Sequence, residues 1–197
     1  HLFVVVNAAC KAEDEALLRA ALFDTCIIEP LTERALIALQ GPKAVAALTR
    51  LCPEAAAMRF MDAGPRRVMG LDCFVSRSGY TGEDGFEISV PAADAEALAT
   101  ALLADDNVTL IGLGSRDSLR LEAGLCLYGH DIDTTTTPVE GDLVWSIQKS
   151  RRTGGARAGG FPGATKILTQ IDTGVARKRV GLRPEGRAPV REGAPLF

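Results

Sequence analysis

The chain is poor in the residues that most often build metal and redox sites. Its 197 residues include only two histidines and five cysteines, and aromatic residues make up 5% of the chain. The cysteines are odd in number and none forms a Cys-x-x-Cys motif, so we expect buried, reduced thiols in a reducing compartment rather than disulfides. With so few histidines, the sequence gives no indication of a zinc site.

Long apolar runs and an excess of charge are also missing. No apolar run approaches the roughly 20 residues that a membrane-spanning helix requires, and no signal or transit peptide is visible. The formal net charge of −3 argues against a general nucleic-acid binder. The sequence therefore predicts neither a membrane nor a nucleic acid as partner.

A polar turn between two alternating segments is the most informative local pattern. Residues 69–75 and 86–90 alternate apolar with other side chains, which is typical of strands with one buried face. The turn between them contains three glycines, a residue type that adopts positive φ without steric cost: Gly79, Gly82 and Gly85. We predict two antiparallel strands joined by a loop that can form a binding site. The alternative is a surface hairpin with a solvated polar face.

The rest of the chain alternates helical and strand-like segments. Helices are predicted at residues 12–22, 42–51, 95–104, 115–123, 138–148 and 164–172. Further strands are predicted at residues 2–6, 26–29, 36–39, 108–111 and 180–182. Gly124 is expected to end the helix that Ser115 caps. Because the helices interleave with antiparallel hairpins, we predict the α+β class rather than a parallel doubly wound sheet.

Two motifs and several shorter matches resemble one known family. Residues 80–87 read Tyr-Thr-Gly-Glu-Asp-Gly-Phe-Glu, and residues 116–129 read Arg-Asp-Ser-Leu-Arg-Leu-Glu-Ala-Gly-Leu-Cys-Leu-Tyr-Gly. Shorter matches follow the same order at residues 4–8, 38–42, 137–140 and 179–182. Together they resemble the T-proteins of the glycine cleavage system, which are tetrahydrofolate-dependent aminomethyltransferases. The resemblance runs from end to end, which a single motif does not imitate.

The resemblance implies two interleaved α/β domains with mainly antiparallel sheets, followed by the start of a C-terminal β-barrel domain. Carried over, the domains are residues 1–28 with 138–168, residues 29–137 as the folate-binding domain, and residues 169–197 as the start of the barrel. The chain then corresponds to a fragment without the N-terminal part and most of the barrel. The aspartate that T-proteins use in catalysis is expected upstream of His1, so we assign no catalytic residue here.

The resemblance also implies a tetrahydrofolate site. Glu87 matches a glutamate that reads the pterin ring, whose adjacent N–H and NH₂ donors suit a carboxylate. Arg116 matches an arginine that contacts folate, and Tyr80 matches a tyrosine beside the ligand. Four further positions match residues at or near the pocket: Val5, Asn7, Phe60 and Leu125.

These assignments have structural alternatives. Glu87 is otherwise an exposed strand glutamate, and Phe60 otherwise packs in a core. Arg116 is otherwise paired with an acidic neighbour, the candidates being Asp117, Glu83 and Glu122. Arg120 is interpreted as structural, and Trp145 is expected to anchor a helix in the core.

The reaction implied by the resemblance is aminomethyl transfer in glycine catabolism. Tetrahydrofolate receives the methylene of an aminomethyl group carried on the lipoyl arm of the H-protein, which releases ammonia and forms 5,10-methylenetetrahydrofolate. The alternatives are the folate-binding module of a dimethylglycine or sarcosine dehydrogenase and a non-catalytic folate-binding relative. Residues 116–129 and 161–164 fit T-proteins better. The implied location is the bacterial cytoplasm or the mitochondrial matrix.

Overall fold

The structure is a computed structural model, and it describes residues 1–186, 190 and 193–195. The described residues fall into two units. The first contains His1–Leu39, Lys43–Ser78 and Gly85–Val108, and the second contains Gln40–Pro42, Gly79–Asp84 and the described residues from Thr109 onward. The domain boundaries implied by the resemblance stay a prediction.

A four-stranded sheet organises the first unit. Its strands are β1 (Arg34–Gln40), β2 (Ala63–Val68), β3 (Leu71–Ser76) and β4 (Gly85–Pro91), in the spatial order β1-β4-β3-β2. β3 pairs antiparallel with both β2 and β4. The predicted antiparallel pair with a long connection is confirmed, because β3 and β4 are neighbours joined by residues 77–84.

Alternation along β3 and β4 separates a core face from a polar face. Val75 lies opposite Ile88, and both are fully buried, as is Phe86. Ser76 and Glu87 are the neighbours of Val75 and Ile88 along the two strands, and they lie opposite each other. Because side chains alternate along a strand, both point to the other face of the sheet. Burial of each large apolar side chain contributes roughly 1.5–3 kcal/mol, so this pairing determines which face of β4 is available to a ligand.

The described residues contain five α-helices. They are α1 (Lys11–Leu22), α2 (Ala44–Thr49), α3 (Ala95–Leu103), α4 (Leu113–Glu122) and α5 (Ala164–Thr173). In the first unit, Leu48 of α2 and Leu98 of α3 are fully buried in the core with the sheet. α1, α3 and α5 agree with the predicted helices to within one residue at each end, whereas α2 is shorter than its prediction.

Gly124 ends α4 as predicted. Its φ is 73°, and its N–H donates to the carbonyl of Leu121 at 3.0 Å, while the Leu125 N–H donates to the carbonyl of Arg120 at 2.8 Å. This pair of bonds is the Schellman arrangement, which satisfies carbonyls at a helix end. The predicted start is wrong by two residues, since Ser115 lies inside the first turn and Gly112 precedes the helix.

Several predicted elements are not formed. Residues 2–6, 26–29, 108–111 and 180–182 carry no strand, and residues 138–148 form turns with one short 3₁₀ turn instead of a helix. Leu2 is 93% exposed although its segment is apolar. A strand needs a hydrogen-bonding neighbour, which an apolar pattern does not specify.

The predicted start of a barrel at residues 169–197 stays a prediction. Residues up to Thr173 belong to α5, and residues 174–186 contain no strand. The remainder of that prediction falls partly on residues 187–189, 191–192 and 196–197, which lie outside the described residues.

All five cysteines are free, but only two are buried. Cys52 and Cys73 lie in the core of the first unit, whereas Cys26 is exposed. Burial raises the pKa of both core thiols, and donation of the Cys52 S–H to Glu54 raises the pKa of that thiol further. The expectation of buried thiols is therefore wrong for Cys26.

We predict that Cys26 reacts with iodoacetamide well before Cys52 and Cys73 in the folded protein. The thiolate is the reactive form, so burial and a raised pKa both slow the core thiols. Time-resolved labelling followed by peptide mass spectrometry measures the order. Cys26→Ser serves as the control that removes the exposed thiol, and labelling of the core thiols as fast as that of Cys26 would contradict the described packing.

Candidate functional site

Glu87 is held on the polar face of β4 by the hydroxyl of Ser78. Its half-buried side chain accepts a hydrogen bond from Ser78 Oγ to Oε2 at 2.8 Å. Ser78 Oγ also lies 2.8 Å from Ser76 Oγ, and Ser76 is the residue opposite Glu87 on β3. A carboxylate offers about four acceptor positions, so this bond leaves acceptor capacity for a planar pair of N–H donors.

Tyr80 and Arg116 contact each other in the second unit. The guanidinium carbon of Arg116 lies 4.6 Å from the centroid of the Tyr80 ring, which is a cation–π contact. Tyr80 is half-buried, and its hydroxyl donates to the carbonyl of Cys126. Burial raises the pKa of Tyr80, so the hydroxyl keeps its proton at neutral pH.

The ion pair suggested between Arg116 and Asp117 is replaced by a different one. Asp117 Oδ1 accepts from Arg120 Nε at 2.8 Å. Residues three apart on a helix face the same side, which brings Asp117 to Arg120 rather than to its sequence neighbour. This arrangement leaves the Arg116 guanidinium over the tyrosine ring.

Three of the remaining predicted residues lie in the first unit. Val5 and Asn7 are both exposed, and the strand predicted at residues 2–6 does not form, whereas their place beside a ligand stays a prediction. The Asn7 side chain accepts from the Ala9 N–H at 3.4 Å, within its own turn. Phe60 is 73% exposed, which contradicts core packing.

Leu125 and Trp145 lie in the second unit. Leu125 is half-buried just after α4, and its carbonyl accepts from Arg120 Nη1 at 3.2 Å. Trp145 is 77% exposed in a short 3₁₀ turn, so the expectation that it anchors a core helix is wrong. The helix predicted at residues 138–148 does not form, so the Trp145 ring is not part of an apolar helix face.

Sequence reasoning missed Ser78, which bonds to Glu87, and Ser76, which bonds to Ser78. Ser76 and Ser78 are two positions apart, so in an extended strand they lie on one face. Two serines at this spacing, at the end of a predicted strand and opposite a glutamate, would have allowed a hydrogen bond from a hydroxyl to the carboxylate to be predicted.

A cavity of about 820 Å³ in the first unit does not include the predicted site residues. It lies beside β2 and is lined partly by Phe3 and Phe74, whose rings stack with centroids 4.1 Å apart. Its charged lining includes Arg67 and Asp72, which form an ion pair. Glu87 is not among the residues that line this cavity.

The described residues support neither a metal site nor a membrane-spanning helix. No group of three or more His, Cys, Asp or Glu side chains there is arranged to hold a metal ion. No helix within residues 1–186, 190 and 193–195 is both long and apolar enough to cross a membrane.

Comparison with known proteins decides the family. The family model described as the GCVT N-terminal domain matches residues 1–151. The chain belongs to this family. The mitochondrial aminomethyltransferase of Mus musculus is 49% identical to this GCVT-family chain over 204 residues, with 100% of this chain and 49% of the mouse protein covered.

Two further proteins support the same assignment. The probable mitochondrial aminomethyltransferase of Schizosaccharomyces pombe is 45% identical over 196 residues, covering 98% of this chain and 49% of the yeast protein. The solved glycine cleavage system aminomethyltransferase T from Bartonella henselae matches with a TM-score of 0.82 and 44% identity, covering 94% of this chain and 49% of that one. The GCVT-family chain thus has the T-protein fold and spans about half the length of these relatives.

The loop that carries Tyr80 has one position that only glycine fits. Gly82 has φ of 77°, and a Cβ added there would lie 2.5 Å from the Cβ of Ala123. Real Cβ atoms do not approach so closely, and positive φ is costly for other residues. The loop therefore passes directly against the end of α4.

We predict that Gly82→Ala lowers the free energy of unfolding by about 1–3 kcal/mol, because it adds both backbone strain and a clash. Urea denaturation measures the change. Gly114→Ala is the matched control, since Gly114 lies in α4 with nothing within 4 Å of an added Cβ. The control is expected to be neutral or stabilising. Equal effects of the two substitutions would contradict the close approach.

Proposed function

We propose that this chain carries the folate-binding part of a glycine cleavage aminomethyltransferase. In the proposed reaction, tetrahydrofolate receives the methylene of an aminomethyl group on the lipoyl arm of the H-protein. Ammonia is released and 5,10-methylenetetrahydrofolate forms. Membership of the GCVT family and 44–49% identity to three aminomethyltransferases support the proposal.

The observation that carries the proposal is the supported carboxylate of Glu87. A pterin ring presents adjacent N–H and NH₂ donors, which a carboxylate accepts as parallel, charge-assisted hydrogen bonds. Each bond of this kind contributes roughly 1.5–3 kcal/mol. Glu87 lies on an interior strand of the sheet, and its carboxylate is held by Ser78, so its orientation is set before a ligand arrives.

Tyr80 and Arg116 are proposed as further folate contacts. Their cation–π pair presents an aromatic ring and a planar cation, which suit the aromatic rings and the carboxylate groups of a folate. Val5, Asn7 and Phe60 are exposed side chains that we propose as folate neighbours, together with the half-buried Leu125.

The partner and location are part of the same proposal. We propose the lipoylated H-protein as the donor of the aminomethyl group and either the bacterial cytoplasm or the mitochondrial matrix as the location. The names of the mouse and yeast relatives place those proteins in mitochondria. The residues of this chain are proposed to bind and orient folate, and none is assigned the catalytic proton transfer.

We predict that Glu87→Gln weakens tetrahydrofolate binding at least about tenfold, or about 1.4 kcal/mol, in calorimetric titration. The amide replaces a charged acceptor by a neutral group with only one acceptor oxygen. Glu83→Gln is the matched control. It makes the same chemical change at an exposed position in the loop, and its binding is expected to stay within about twofold of the parent.

Two outcomes contradict the proposal in different ways. Equal affinities for the parent and Glu87→Gln would remove Glu87 from the site. Absence of saturable binding by the parent chain would reject a folate site built by these residues.

A further inference from the structure

Arg120 is the most buried of the charged side chains in the described part of the second unit, and the mechanism proposed above does not use it. Only 5% of the residue is exposed. Its guanidinium donates to the carboxylates of Asp117 and Asp131 and to the carbonyl of Leu125. One of these acceptors lies on α4 itself, and the other two lie in the segment that follows the helix.

The contacts of Arg120 converge on three consecutive residues. The carbonyl of Leu125 accepts from Arg120, and the N–H of Leu127 donates to Asp131 Oδ2 at 2.9 Å, the same oxygen that pairs with Arg120. The residue between them, Cys126, supplies the carbonyl that accepts the Tyr80 hydroxyl. The Cys126 carbonyl, which accepts from the Tyr80 hydroxyl, therefore lies between two residues that are hydrogen-bonded to Arg120 and Asp131.

Arg116 and Arg120 lie four residues apart on α4, so they project from the same side of the helix. Arg116 contacts the Tyr80 ring, and Arg120 holds the segment that receives the Tyr80 hydroxyl. The contacts form a closed ring that runs from α4 through Arg120, the 125–127 segment and Tyr80 to Arg116 and back to α4.

We propose that Arg120 and Asp131 are positioning residues for the Tyr80–Arg116 pair. They fix the 125–127 segment, and the segment fixes the orientation of the tyrosine ring under the Arg116 guanidinium. The inference rests on the proposed function only for its effect on folate, because the effect on Tyr80 is independent of any ligand.

The charge of Asp131 suits this role. Partial burial raises the pKa of its carboxyl group, but hydrogen bonds from the Leu127 N–H and from Arg120 outweigh that effect, and the pKa lies below its ordinary value. Asp131 is therefore ionised at neutral pH. Arg120 is buried and Asp131 is only partly covered. An ion pair of this kind adds little net stability compared with apolar packing, so geometry is its distinctive contribution.

The test compares Asp131→Ala with Asp117→Ala. Both substitutions remove one carboxylate partner of Arg120, but only the first removes the link to the Leu127 N–H. The ligand-independent readout is the ¹⁹F NMR spectrum of protein labelled with 3-fluorotyrosine. The chain has two tyrosines, Tyr80 and Tyr128, and Tyr80→Phe assigns their two resonances.

The expected result is a shifted or broadened Tyr80 resonance in Asp131→Ala and an unchanged one in Asp117→Ala. Tetrahydrofolate affinity is expected to fall at least about tenfold in Asp131→Ala, since small misplacements of a binding group are costly. In Asp117→Ala it is expected to stay within about twofold. In a Tyr80→Phe background, Asp131→Ala is expected to cost less affinity than in the parent, because the hydroxyl it positions is gone.

Loss of folding free energy in Asp131→Ala with an unchanged Tyr80 resonance would overturn the inference, because it would show a merely structural pair. Equal changes in the two alanine variants would overturn it as well. If Asp131→Ala fails to fold, Asp131→Asn keeps the shape of the side chain and the same comparison applies with Asp117→Asn. If the parent binds no tetrahydrofolate, the proposed function fails, while the Tyr80 resonance still decides the inference.

Discussion

The antiparallel pairing of β3 with β4 is the constraint on which the first unit depends. It places Val75 against Ile88 in the core and Ser76 against Glu87 on the other face. Because side chains alternate strictly along a strand, a slip of one residue would turn the carboxylate into the core and expose the apolar side chains. The β3–β4 register thus sets both the packing of the core and the position of the Glu87 carboxylate. The buried apolar residues that fix this register also hold Glu87 in place.

The second unit depends more on polar contacts. Few of the apolar side chains described in it are buried, but Arg120 links α4 to the segment that follows it. Arg179 adds further bonds to the carbonyls of Gly124 and Gly141. Guanidinium groups carry five donors in a rigid fork, so they connect several backbone segments at once. In the second unit, Arg120 and Arg179 hold backbone segments in position, as the sheet does in the first unit.

Much of the fold was predictable from local patterns, and the failures share a physical cause. Alternation located β3 and β4, and Gly124 marked the end of α4, because both signals depend on neighbouring residues. Residues 2–6 and 108–111 have strand-like composition but no strand partner, which no local pattern reveals. The seven site residues came from the family resemblance, whereas Ser78 and Asp131 emerged only from three-dimensional contacts.

We propose that Glu87, at the polar end of the β3–β4 pair, binds the pterin ring of folate. Hydrogen–deuterium exchange with and without saturating tetrahydrofolate tests where the ligand sits. A pterin site at Glu87 predicts slower exchange of backbone amides in peptides that cover residues 76–89, with the exposed helix α1 unchanged as an internal reference. Slower exchange confined to other peptides, with residues 76–89 unaffected, would contradict a pterin site at Glu87.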